Sequence, residues 1–403
     1  MKNLAICSLA LLLAALGPQR SQHGLFDAAW ALGVLMLVAF VAQRAAAGLR
    51  LPPLTGWVAA GLLLGPGLLK LVPPDPTLHL LHSFAALWVG FGAGLELPLR
   101  PAMGRRPALA IALSTLGVFL AVAAGLALLA GVPWELALVV GALSCLWGPF
   151  TTAAVVSDAQ VVSWGLVGNG CGLLLLCGVL VLLQGQGLLP AGALALAGAL
   201  GASPLAGALV GSLLGRLRLC ATPRTALVGL GGGFLLCTLL IDQFQLYALL
   251  FGFAAGWTLT RHPDQRQQVE PGARAVQPLF AMLFFALAGA TLDPRLLWPP
   301  ATALVQNALI QVLALVLLRG WALARLAPAP RPRPWLLLPK AALLFELVYH
   351  PGGGLAGLLA AEPARLLRQL ALAELLIHVF GLAVIAFLLY RPRPETSDSI
   401  VPR

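Results

Sequence analysis

Of the 14 acidic residues in this 403-residue sequence, only Glu346 and Glu374 lie well inside long apolar stretches; the others fall in connections or at the ends of such stretches. A carboxylate held in apolar surroundings costs several kcal/mol unless it pairs or serves. Its two protonation states differ by one charge, and burial tunes the pH at which it switches, so such a group can trade a proton for a cation. Glu374 and His378 are four residues apart and share one face of a helix, where a carboxylate and an imidazole can relay a proton. The competing reading is a polar contact between helices or a partly solvated helix end. Lys340 and Glu346 are six residues apart and point to different faces. Lys340 either serves the same pathway or extends its ammonium to an interface.

The elements that position these groups follow from composition. Hydrophobic residues make up 60% of the chain and charged residues 10%, too little charge to cover a water-facing surface, so the bilayer is the solvent. The apolar runs are about 17–27 residues long, which predicts spanning helices rather than barrel strands. About thirteen are expected, at 24–43, 54–71, 78–98, 107–131, 134–157, 161–184, 189–215, 223–241, 246–260, 275–291, 300–326, 335–350 and 366–390. Residues 1–23 form a hydrophobic leader, either a signal peptide or an extra helix, and 391–403 a short polar tail. Loops after odd-numbered spans collect arginines, among them Arg44, Arg50, Arg100, Arg105, Arg106, Arg216, Arg218, Arg261, Arg331 and Arg391. By the positive-inside rule these loops and the C-terminus are cytoplasmic, in an inner (plasma) membrane. The net charge of +11 is therefore a topology signal rather than a nucleic-acid footprint. The six cysteines show no metal-ligand spacing and read as small core residues. No cofactor or metal is implied, and no hydrolase or metalloprotease motif suggests an enzyme.

Two spans carry breaks: Trp147-Gly148-Pro149-Phe150 in the fifth, and His350-Pro351-Gly352-Gly353-Gly354 closing the twelfth. Seven spans separate them, an odd offset that inverts one half of the chain relative to the other. Paired broken helices in inverted repeats are an architecture of secondary transporters.

Several motifs resemble the sodium/hydrogen exchanger superfamily, in particular its Kef-type cation/proton antiporter branch. Leu51-Pro52-Pro53-Leu54-Thr55-Gly56 through Gly65-Pro66 is similar to the family's second span, Gly90-Phe91-Gly92-Ala93-Gly94-Leu95-Glu96-Leu97 to its third, and Pro278-Leu279-Phe280 through Gly289 to Asp293 to a later one. The resemblance covers residues 25–390 and implies an all-α sodium/proton antiporter-like fold, with a scaffold and a mobile core bundle. It further implies a homodimer and exchange of a monovalent cation, K⁺ or Na⁺, for protons. At the expected acid pair of the sixth span this chain has Gly168-Asn169, and the basic residue of the eleventh span matches Arg319. Asn169 can coordinate a cation through its amide oxygen but cannot titrate. The expected pathway is therefore Asn169, Glu374, His378, Glu346, Arg319 and Lys340, beside the breaks at Gly148, Pro149, Pro351 and Gly352. The alternative is a homologue that keeps the fold and has lost coupled transport.

Overall fold

The computed structural model describes residues 24–49, 51–72, 75–96, 105–146, 159–189, 192–217, 223–297, 302–314, 317–318, 341–349, 354–357, 359, 361–376 and 379–380. The described residues are helical and contain no strand. In order, the elements are α1 (Gly24–Gly48), α2 (Pro53–Leu64), α3 (Pro76–Leu95), α4 (Arg105–Leu129), α5 (Trp134–Ser144), α6 (Ala159–Gly185), α7 (Gly192–Leu217), α8 (Pro223–Gln243), α9 (Ala248–Leu259) and α10 (Pro263–Ala290). A 3₁₀ turn (Pro294–Leu297) leads to α11 (Thr302–Ala314), α12 (Ala341–Tyr349), the single turn α13 (Gly354–Gly357) and α14 (Ala361–Leu376).

The outer surface is greasy. Leu109, Leu113, Leu116 and Leu120 form an exposed ribbon on α4, and Leu205, Leu209 and Leu213 form another on α7. Their spacing of three or four residues places each set on one helix face, and an exposed apolar face of that length needs lipid against it. Among the described residues, seven helices are long and apolar enough to cross a membrane, and α2, α5, α9 and part of α11 are shorter apolar helices. The protein is a multi-pass membrane protein.

Helix starts follow local chemistry. Asp75 caps α3, its carboxylate accepting from the Thr77 N–H at 2.7 Å, and Pro76 fills the first turn, where no amide donor is needed. α2 and α10 likewise begin on prolines, Pro53 and Pro263. Several boundaries differ from the sequence expectation, and the start of α10 extends farthest beyond it. The tenth span was expected from residue 275, yet α10 starts at Pro263, and Glu270 lies inside a helix rather than in a loop. Its first turns are polar, so a search for apolar runs passes over them. They stay helical because Glu270 pairs with Arg266 at 2.8 Å and Arg274 at 2.6 Å, each one turn away, and Arg266 also donates to the Leu95 carbonyl at the end of α3.

Two bundles emerge from the helix contacts. One joins α1, α2, α3, α7, α8, α9 and α10; the other joins α4, α5, α6, α11, α12, α13 and α14. In the first, backbones touch. Gly90 and Gly94 of α3 lie against the carbonyls of Leu249 and Phe253, while Gly252 and Gly256 of α9 lie against those of Leu87 and Phe91, so a side chain at any of the four would strike main chain. Small residues at four-residue spacing are how membrane helices approach this closely. Beside this seam, Trp88 stacks on Phe280 (centroids 5.1 Å) and meets Phe234 edge-on at 5.0 Å.

Candidate functional site

The second bundle gathers buried polar groups. Asn169 of α6 is 3% exposed, Glu346 of α12 is 4% exposed and Glu374 of α14 is fully buried. The helix of α5 stops at Ser144, with Cys145 in a turn and Leu146 beyond it, just before the expected break at 147–150, which lies outside the described residues. Gly172 of α6 rests on this end: a Cβ there would lie 3.1 Å from the Cys145 carbonyl. Asn169, one turn earlier on α6, is thereby placed near the point where α5 ends. α14 packs on α5, α11 and α12, so Glu374 belongs to the same assembly. α12 is described from Ala341 to Tyr349, and the second expected break, from His350 to Gly353, lies outside the described residues. Gly148, Pro149, Pro351 and Gly352 lie outside the described residues, as do His378, Arg319 and Lys340, so the Glu374–His378 face and the Arg319 match carry no geometry here.

Glu346 and Glu374 sit on adjacent helices of one bundle, but the described bonds of Glu346 lead elsewhere. Both of its carboxylate oxygens accept from the Leu249 N–H of α9, at 3.1 and 3.3 Å, across the boundary between the bundles. A second bond crosses this boundary, from the Thr55 hydroxyl of α2 to the Val379 carbonyl at 3.0 Å. The Gln369 side chain of α14 donates to the Leu296 carbonyl of the 3₁₀ turn at 2.7 Å.

Two further site residues escape an audit of charged groups. Asn307 and Gln311 of α11 are fully buried, and the Gln311 amide donates to the Asn307 carbonyl oxygen at 3.0 Å. The Asn307 Nδ2 and Gln311 Oε1 atoms are buried without a hydrogen bond. Exposed Val305, Leu309 and Leu313 occupy the opposite face, so the amide pair points into the bundle. The signal available in the sequence was two amides four residues apart in an otherwise apolar span. Elsewhere in the bundle, Ser114 and Thr115 of α4 are buried and donate to the Ile111 carbonyl, and the Cys145 thiol donates to the Thr115 carbonyl at 3.2 Å. Amide, hydroxyl and carbonyl oxygens are the ligands hard cations prefer. Among the described residues no cluster of His, Cys, Asp or Glu could hold a metal ion. Among the described residues, Cys145, Cys171, Cys177 and Cys237 form no disulfide.

Outside the spans, Glu96 caps the C-terminal end of α3. Burial pushes its carboxyl from 4.5 up to about 7; nearby Arg274 lowers it in part and Glu270 adds to the rise. A cavity of about 630 Å³ opens among α5, α6 and α14, lined in part by Glu135, Glu362, Arg365 and Gln369.

The transmembrane sodium/hydrogen exchanger family matches residues 32–390. The fold is similar to that of the sodium proton antiporter MjNhaP1 from Methanocaldococcus jannaschii, with a TM-score of 0.61 and 16% identity, over 89% of this chain and 99% of that one. No curated protein matches the sequence. With nearly the whole membrane region matched, this chain belongs to the sodium/hydrogen exchanger family.

Proposed function

We propose that the protein is a monovalent-cation/proton antiporter of the Kef-like branch, K⁺ or Na⁺ moving against H⁺ by alternating access of the second bundle against the first. One observation carries this reading: Glu374, a carboxylate with no exposure, sits in a bundle that also buries neutral oxygen ligands, in a chain of the exchanger family. Glu374 exchanges the proton, with His378 one turn on as its relay partner. Asn169 and the Asn307–Gln311 amides supply neutral oxygens to a dehydrated cation. Neutral ligands leave the charge balance to the single carboxylate, so one proton replaces one cation at the site. Lys340 and Arg319 complete the pathway, and Glu346 stands beside it at the boundary between the bundles. The protein works as a homodimer in the plasma membrane with its C-terminus in the cytoplasm.

The test is a proteoliposome assay in which purified protein, with a pH-sensitive dye inside, is pulsed with Na⁺, K⁺ or Li⁺ against empty liposomes. Cation-dependent proton flux that disappears in Glu374→Gln supports the reading; flux unchanged in that variant removes Glu374 as the carrier. A second reading is favoured by Gly168-Asn169 standing where the family has its acid pair. In it the fold persists as a regulatory or structural membrane protein, and well-folded wild-type protein gives no flux with any cation at any pH.

A further inference from the structure

The start of α9 is an unusual helix terminus. Its N-cap residue, Tyr247, offers no side-chain cap, and the first amides of any helix lack intrahelical acceptors, a costly condition away from water. Two other helices supply the acceptors. Ser203 of α7, in the same bundle, accepts from the Tyr247 N–H at 2.8 Å. Glu346 of α12, in the other bundle, accepts from the Leu249 N–H with both oxygens. A carboxylic acid would keep one oxygen as a hydroxyl donor, whereas an ionised carboxylate accepts with both. The partial positive charge of a helix N-terminus favours the ionised form further.

The surroundings make this contact a switch rather than a staple. α9 is held backbone-to-backbone by α3, so its N-terminus is a fixed point of the first bundle. α9 itself bears no acid or base, and Tyr247 at its start lies within the field of Glu346, with Cys177 of α6 beyond. α13 carries no titratable group, α12 carries only Tyr349 besides Glu346, and α14 carries Glu362, Arg365, Arg368 and Glu374. The bond therefore depends chiefly on the charge of Glu346 itself.

We propose that Glu346 is a proton-operated latch between the bundles: ionised, it holds the start of α9 and keeps the bundles docked; protonated, it releases α9 and frees the second bundle to move. This is a positioning role that deepens the antiport reading and rests on it for the meaning of the movement. The sign is fixed by the chemistry. The latch is closed at high pH and opens as pH falls, because a neutral acid is a weaker acceptor for a helix N-terminal amide.

The test is hydrogen–deuterium exchange of the full-length protein in lipid nanodiscs, followed at the peptide containing Leu249 across a pH series corrected for intrinsic exchange, alongside proteoliposome flux. Wild type is expected to lose roughly ten-fold protection at Leu249 from the alkaline to the acidic end. Glu346→Gln should show low protection at every pH and flux with a flattened pH profile, while Glu374→Gln keeps the wild-type protection curve. Glu346→Asp, one methylene shorter, is the second variant should the Gln variant not fold, and it should lose alkaline protection. The proposal is overturned if the Glu346 variants follow the wild-type protection curve, or if Glu346→Gln abolishes flux at every pH as loss of the carrier would. Protection that varies with pH in a wild type without flux leaves the latch standing and removes the antiport reading; flux without such protection removes the latch alone.

Discussion

In the first bundle α3 and α9 meet through Gly90, Gly94, Gly252 and Gly256, carbonyl against Cα, with Trp88, Phe234 and Phe280 closed around them. In the second bundle the interior holds Asn169, Asn307, Gln311, Glu346 and Glu374. Backbone-to-backbone contact has one solution and tolerates no sliding. Polar side chains can exchange partners while staying satisfied, so they suit helices that must occupy two arrangements. The contrast assigns rigidity to one bundle and chemistry to the other, and it can be attacked from both sides.

The largest effect should come from the rigid side. Gly252→Leu drives a side chain into the Leu87 carbonyl, costs more than about 3 kcal/mol and should abolish monodisperse protein on size exclusion. Normal elution would mean the seam is looser than its glycines imply. Next is Glu374→Gln, which should keep wild-type elution while cation-driven flux falls about 100-fold; retained flux would deprive the second bundle of its assigned chemistry. Asn307→Ala should be milder, raising the cation concentration for half-maximal flux about ten-fold with little change in thermal stability. An effect on stability alone would make the amide pair a packing device.

The smallest effect lies at the edge of the rigid bundle. The Glu96 carboxyl, raised from 4.5 to about 7, binds a proton more tightly folded than unfolded. Its contribution to stability is thus favourable below about pH 4.5, declines as pH rises through about 7, and is lost above that. Glu96→Gln should leave melting unchanged in acid and stabilise the protein above pH 7 by of order 1 kcal/mol, allowing for screening by water. A melting curve with the same pH dependence in both proteins would break this assignment.

Much of this contrast can be read in the chain. The Gly90–Gly94 run is legible in the sequence as a family-like motif but not as a contact with α9, and α5 ends at Ser144 inside the expected fifth span, shortly before Gly148-Pro149. Glu346 and Glu374 stand out because charge is conspicuous in apolar sequence. Asn307 and Gln311 do not, since amides blend into a hydropathy profile while making the same demand for partners. The early start of α10 was hidden for a related reason, its first turns being held by Glu270 and two arginines rather than by apolar contact. The Glu346–Leu249 bond joins residues 97 apart, and no local rule pairs an acid with an amide at that distance.

The brevity of α2 and α9 has an electrical consequence. Each has 12 residues, about 18 Å of helix against a hydrocarbon layer of about 30 Å. A membrane voltage, worth about 2.3 kcal/mol per elementary charge per 100 mV, drops steepest across the insulating part of its path. Glu346 of α12 stands against the very start of one of these short helices, α9. On the proposed antiport reading, a proton that reaches Glu346 crosses only part of the voltage, and the remainder falls on the ion moving onward through the second bundle.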